Sequence, residues 1–532
     1  MAGSRLLTTA RRRSRWGWLV WLGLALGLAL AAPSASGTGP ESAAPAKLGE
    51  PAPFLGVPGR SVSYPTGAAH GPYGVAVSPG GENVYASDYG NDRLIVFARA
   101  AGTGELTVVQ TVINGAGGVS GVDGPYLVTV SPDGKNVYVT GSVSDTVVSF
   151  SRNPGDGTLA FLRKVTRNDP YGLCSPTCQF ALDSLDGAYH VVISPDGQYG
   201  YVSSILDNKV AVLRRNATTG ELALDPLIGP AQIFSAAPAD LSQAYGMALS
   251  PDGAQLYLAG YGSDTLLVLS RDAASGALAQ AEVHRQGQGG VDGLNGVFRV
   301  AASPDGAHLY AASFDGNAVA AFRRAPATGG LTFLAAYQDE VGGVDGLAFS
   351  SSVAVTPDGA RVLATGFNDD AIAVFDRNTA TGLLVQSQVV KRDPTTHLPA
   401  LDGARDVAIS ADGSSVYATG YNDNLVAAFQ ASNPLPQIAS LLPDRAAAGG
   451  EAFTLALEGT NFLATSQVLW NGAARPTTYV SATRLEVQIA AGDIAQPGAV
   501  AVTVANPAPG GGLSDEAAFR IFARTWLPWL AK

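Results

Sequence analysis

Four side chains, His190, Arg299, Arg405 and Asp406, are of types that could do chemistry if the fold brings them together. An imidazole and a carboxylate offer proton transfer, and two guanidinium groups offer charge for an oxyanion. That set could activate a water and steady an oxyanion. Position selects these four. Five residues ahead of each copy of a recurring Ser-Pro-Asp-Gly turn stand Tyr73, Tyr126, Tyr189, Tyr245 and Phe298, and then Ser351 and Arg405, which break the aromatic pattern. One residue later come Gly74, Leu127, His190, Gly246, Arg299, Ser352 and Asp406. Polar groups converging among aromatic walls are the usual make-up of a ligand pocket. The expected ligand-binding set is therefore Tyr126, Tyr189, His190, Tyr245, Phe298, Arg299, Arg405 and Asp406, with His190 and Arg299 as the catalytic candidates. The competing reading is structural: an Arg paired to a neighbouring Asp and a His hydrogen-bonded in place.

A second set is acidic. Asp123, Asp186, Asp292, Asp345 and Asp402, with Asp240, lie between repeats, mostly within Val-Asp-Gly or Leu-Asp-Gly. A ring of carboxylates could hold Ca²⁺, which takes six to eight oxygens. Fourteen residues after each turn Ser stands Asp92, Asp145, Asn208, Asp264, Asn317, Asp370 or Asn424. Asp and Asn accept backbone N–H bonds in their own turns, so uniform occurrence in every copy favours a structural duty. Cys174 and Cys178, the two cysteines of the chain, are too few for a four-ligand zinc site and are expected to form a disulfide closing a tight loop.

The elements that must position these residues repeat. The turn or a close variant starts at Ser78, Ser131, Ser194, Ser250, Ser303, Thr356 and Ser410. Seven residues on come Tyr85, Tyr138, Tyr201, Tyr257, Tyr310, Leu363 and Tyr417. Each copy reads as four short strands joined by tight turns, which is one blade of a propeller. The expected fold is all-β: a seven-bladed β-propeller over residues 48–432. After Phe429 no room remains for a fourth strand, so a segment near Pro53–Tyr64 is expected to complete the last blade and remove its open edge. The innermost strands begin at the candidate site residues, near the mouth of the central channel.

Composition agrees with short strands and turns. Charged residues make up 14% of the chain, with 64 Gly and 32 Pro, which excludes a coiled coil and an acidic disordered chain. Residues 1–31 carry five Arg, an apolar run from Trp16 to Ala32 and a small-residue site at Ala29–Ala31, the order of a secretory signal peptide. Its removal takes the formal net charge from −11 to −16, unsuited to a nucleic-acid partner. Residues 32–47 read as a linker, and 524–532 as a tail with Trp526 and Trp529. Residues 433–523 show period-two strands with Asn-Gly turns, a small β-sandwich.

The seven Ser-Pro-Asp-Gly copies, followed by Val-Tyr, Asn-Asp or Asp-Asn, and Val-Ala-Val-Phe runs, resemble the lactonase-type and YVTN-repeat seven-bladed propellers, the 6-phosphogluconolactonase-like group. That resemblance implies the propeller fold and allows lactone hydrolysis. Gly459-Thr460-Asn461-Phe462 and Trp470-Asn471-Gly472 resemble the IPT/TIG immunoglobulin-like fold, which implies a spacer or binding module. The leading expectation is a non-enzymatic, exported protein, extracellular or at the cell surface. It would be a monomer with no membrane span after signal cleavage, acting as a binding or scaffold module for an unknown extracellular partner. The alternatives are a lactone hydrolase using the channel and a calcium-stabilised adhesion module. No cofactor is expected, Ca²⁺ aside.

Overall fold

The structure is a computed structural model describing residues 54–55, 60–63, 71–167, 183–224, 233–392 and 401–523. The expected signal peptide 1–31, the linker 32–47, the pair Cys174 and Cys178 and the tail 524–532 lie outside the described residues. Seven antiparallel sheets follow one another along the chain. Their first strands are Pro72–Val77, Pro125–Val130, Ala188–Ile193, Ala244–Leu249, Val297–Ala302, Ser350–Val355 and Ala404–Ile409. Each touches the first strand of the next sheet, and the seventh touches the first, so these strands line the centre of a closed ring. Blades 1 to 7 are numbered in that order.

The turn motif folds as its chemistry dictates. In blade 2 the Ser131 hydroxyl donates to Asp133 at 2.6 Å and accepts the Asn136 N–H at 3.0 Å. Gly134 donates its N–H to the Ser131 carbonyl at 2.9 Å with φ at 69°, a conformation glycine adopts freely. The second strand that follows is buried along its full length in every blade. Apolar side chains from both faces of these strands fill the space between neighbouring blades, as with Tyr85, Leu94, Val137, Val139 and Phe150 between blades 1 and 2.

Blade 7 is completed from the other end of the chain. Arg60–Ser63 pairs antiparallel with Leu425–Gln430, Arg60 opposite Ala428, and Leu55 bridges to Ala431. In blade 3 the outer position is shared by Leu222–Ala223 and Ile233–Ser235, both on Lys209–Arg215.

Beyond Asn433 two further sheets share one apolar core. The first orders strands Gln437–Leu442, Phe453–Thr460, Arg484–Ile489 and Thr477–Ser481. The second is built around Gly498–Asn506, with Gln467–Trp470 and Ala517–Phe522 at its sides. Leu455, Leu457, Trp470, Val487, Val504 and Phe519 fill the space between them. Among the described residues no helix is long and apolar enough to cross a membrane.

Candidate functional site

The first strands and the turns between second and third strands open on one face of the ring. There the repeat builds a wall of rings. Tyr73 and Tyr126 have centroids 4.5 Å apart, Tyr126 and Tyr189 5.1 Å, Tyr189 and Tyr245 4.7 Å, and Tyr245 and Phe298 4.7 Å. Tyr126, Tyr189 and Phe298 are buried and Tyr245 is partly buried. Burial pushes the phenol pKa values of Tyr126, Tyr189 and Tyr245 upward, so they remain neutral donors.

Blades 6 and 7 break the wall with Ser351 and Arg405. The Arg405 guanidinium occupies the gap, with its carbon 4.4 Å from the Tyr73 ring centroid, 4.8 Å from Phe298, and 5.5 Å from both Phe314 and Phe367. Cation–π attraction on several sides holds a charge that the apolar surroundings would otherwise expel. An Nη2 hydrogen also goes to the Tyr73 hydroxyl. Burial opposes the charge, yet the phenol oxygens around it leave the Arg405 pKa above its ordinary value.

The residues one step further along the strands form a second tier. Asp406 is 3% exposed and accepts three bonds: from Arg299 Nη2 at 3.2 Å, Ser352 Oγ at 2.7 Å and the Val75 N–H at 3.0 Å. With its oxygens so occupied, Asp406 serves to orient Arg299. His190 accepts the Met247 N–H at Nδ1, 3.1 Å, so the neutral ring carries its hydrogen on Nε2. Burial and then the nearby Arg299 charge hold its pKa well below the ordinary value. A ring with this tautomer donates a hydrogen bond and does not act as the base its sequence position suggested.

Tyr73, Leu127, Tyr189, Phe298, Arg299, Ser351, Arg405 and Asp406 line a narrow, close-packed crevice. Two buried donors there have no partner among the described residues: Nη1 of Arg299 and Nε of Arg405. A buried guanidinium N–H left without an acceptor is costly, which sets these two donors apart within the crevice.

The acidic candidates do not converge. Asp186 pairs with Arg167, Asp345 with Lys391 at 2.7 Å, and Asp402 with Arg392 at 2.9 Å. Asp292 accepts from Gln286 and the Gly293 N–H. Asp123 packs at the second blade's loop, where its carbonyl accepts the Val143 N–H. Asp345 does approach Asp339 and Asp369, with Lys391 set between the charges. The Asp/Asn set fourteen residues past each turn has φ between 48° and 57°. In six blades its side chain accepts an N–H from the next blade's loop, as Asp92 does from Gly124 at 2.9 Å. It is a stitch between blades.

Sequence reasoning missed a further ring of aromatics. Eleven residues after the turn Ser stand Tyr89, Tyr261, Phe314, Phe367 and Tyr421, with Ser142 and Ile205 in the other two blades. These five rings are partly exposed at the mouth, and Tyr89 stacks on Tyr126 at 5.1 Å and 16°. Counting that offset along the repeats would have found them. Phe349 had no such signal, since its position in five other blades is Gly.

Comparison with known proteins places the chain in context. The family model described as "Lactonase, 7-bladed beta-propeller" matches residues 61–174, 168–345, 272–392 and 302–444, together well over half of the chain. The 6-phosphogluconolactonase of Bacillus subtilis (strain 168) is 33% identical over 99 residues, 18% of this chain and 27% of that protein. The chain thus aligns with about a quarter of the length of this curated relative. Among solved structures, the periplasmic gluconolactonase of Pseudomonas aeruginosa is similar at 21% identity and TM-score 0.49, over 60% of this chain and 85% of that one. Kuenenia stuttgartiensis hydrazine synthase is similar at 19% identity and TM-score 0.49, over 70% and 98%. The family match corrects the leading expectation of a non-enzymatic scaffold: blade motifs that looked purely structural are those of a lactonase family.

Proposed function

Because the chain belongs to the lactonase seven-bladed β-propeller family, we propose that it is a lactone hydrolase whose site is the crevice of Arg299 and Arg405. One observation carries the reading: two buried guanidinium N–H groups share a crevice and lack an acceptor. In this reading the crevice widens to admit a lactone carbonyl oxygen to these two donors. When water or hydroxide adds to the carbonyl carbon, negative charge gathers on that oxygen, and fixed donors in an apolar wall stabilise it more than they stabilise the ground state. The ring C–O bond then breaks, the ring oxygen takes a proton, and a hydroxy acid leaves. Asp406 keeps Arg299 aimed, and the aromatic cage keeps Arg405 charged and in place. Asp406, the carboxylate lining the crevice, is tied to Arg299, Ser352 and the Val75 N–H, so catalysis rests on the electrophilic side and the rate follows hydroxide upward with pH.

Purified protein should hydrolyse simple δ-lactones, and Arg299→Met or Arg405→Met should each lower kcat about 10²- to 10³-fold, the usual loss for one oxyanion donor. Turnover unchanged in both variants would remove the crevice from the reaction. The reading extends to an exported protein in which the two-sheet C-terminal region is an IPT/TIG-type immunoglobulin-like spacer. Its Gly-Thr-Asn-Phe and Trp-Asn-Gly segments support that assignment, as does the apolar core shared by the two sheets.

A further inference from the structure

Resting on that reading, we infer that the mouth selects uncharged lactones that present a flat apolar face, and that Phe349 is a specificity-determining residue. Phe349 is at φ 55°, in the left-handed region that an aromatic residue occupies only at a cost. The corresponding positions of blades 2, 3, 5 and 7 are Gly124, Gly187, Gly296 and Gly403, all at positive φ. Its backbone does what theirs does: the N–H goes to Asn317 at 2.8 Å and the carbonyl accepts from Phe367 at 3.2 Å. Blade 1 has Gly71 here and blade 4 has Gln243, at φ 54°, so the Phe349 side chain is an addition at a position that five of the seven blades give to glycine. It stacks on Phe314 at 4.8 Å and 10°, and Phe314 in turn flanks Arg405. A strained aromatic that prolongs the wall one ring outward from Arg405, through Phe314, supplies stacking area for a substrate ring.

Charge around the mouth points the same way. The cations at its rim are committed to carboxylates: Arg167 to Asp186 and Asp207, Lys209 to Asp183, Arg285 to Asp240, Lys391 to Asp345, and Arg392 to Asp402. Asp315 adds a further negative charge on the Tyr261 hydroxyl at 3.0 Å. With Arg299 and Arg405 directed at the carbonyl, a phosphate elsewhere on the substrate meets, among the described residues, carboxylates and cations already paired to them. A lactone phosphorylated at its far end is disfavoured, and a neutral lactone bearing a flat ring is favoured.

The test compares three lactones on the full-length protein at low ionic strength: dihydrocoumarin, glucono-δ-lactone and its 6-phosphate. The expected order of kcat/KM is dihydrocoumarin first and the phosphate last, by about tenfold or more, with the gap narrowing as salt is added. Phe349→Gly should raise KM for dihydrocoumarin about fivefold, with kcat held and the melting temperature equal or higher, because the fold prefers glycine there. A phosphorylated substrate turned over as well as the neutral ones, or an unchanged KM in Phe349→Gly, overturns the inference while leaving lactone hydrolysis standing. If no lactone is hydrolysed, the catalytic reading fails by itself. Binding of the lactam of dihydrocoumarin, followed by ligand-observed NMR and weakened in Phe349→Gly, then upholds the selectivity, and lack of binding overturns it.

Discussion

Six of the junctions between neighbouring blades are made one way and the seventh another. At the six, a Tyr hydroxyl reaches across to a Gly carbonyl of the next blade's outer turn: Tyr85 to Gly157, Tyr138 to Gly220, Tyr201 to Gly276, Tyr257 to Gly329, Tyr310 to Gly382 and Tyr417 to Gly104. An Arg from that next blade usually backs the Tyr and pairs with the turn Asp. Arg215 with Tyr138 and Asp133, and Arg377 with Tyr310 and Asp305, show the pattern. Between blades 6 and 7 the Tyr is Leu363 and no outer turn follows. Leu363 instead packs with Phe54 and Leu55 from the early part of the chain. The buried Arg361 takes over: it pairs with Asp376 at 3.0 Å, lies over the Phe54 ring at 4.2 Å and donates to Asn433. Asn433 then joins the C-terminal region through the carbonyls of Pro507 at 3.0 Å and Pro509 at 2.6 Å. Where the repeat cannot complete its own clamp, three separate parts of the chain converge on one buried cation.

The contrast predicts unequal costs. The largest belongs to Arg361→Ala, which leaves the half-buried Asp376 without its cation. Urea unfolding should show a loss of about 3–5 kcal/mol, and a change within error of zero would mean that the seventh junction does not depend on this charge. An ordinary junction shares its load with five like it. Tyr310→Phe removes one neutral hydrogen bond and relieves Arg377 of one partner, for an expected cost of about 1 kcal/mol in the same assay. The smallest effect is a pH dependence at His308, which stands where blades 1 and 2 have Asn83 and Asn136. Burial, and then Arg377, bring its pKa down to about 4, and its Nδ1 faces Arg377 Nη2 at 2.7 Å. The unfolded chain binds this proton near pH 6.5 and the folded one only near 4, so stability is lost as pH falls through that window. His308→Asn should flatten the decline of melting temperature between pH 6.5 and 4. An equal slope in both proteins would assign the decline to other groups.

How much of this was legible beforehand differs between ring and mouth. Seven turn motifs in register fixed the blades, and the absence of a strand after Phe429 foretold that the residues before Tyr64 must supply it. The breaks at Ser351 and Arg405 marked where polar groups would gather, since a gap in an aromatic wall needs a filler. What spacing does not carry is direction. That Asp406 spends its oxygens on Arg299, Ser352 and Val75, and that His190 turns its lone pair to the Met247 N–H, depends on contacts between strands distant in the chain. Phe349 escaped notice because its significance lies in a backbone angle.

The ring closes through its earliest and latest parts, Arg60–Ser63 beside Leu425–Gln430. During synthesis the first of these strands has no partner until nearly the whole circle has been made. Its pairing is the most distant contact of the propeller in sequence and carries a correspondingly heavy loop entropy. A chain interrupted before its seventh sheet would lack the partner for that strand and could not close the ring.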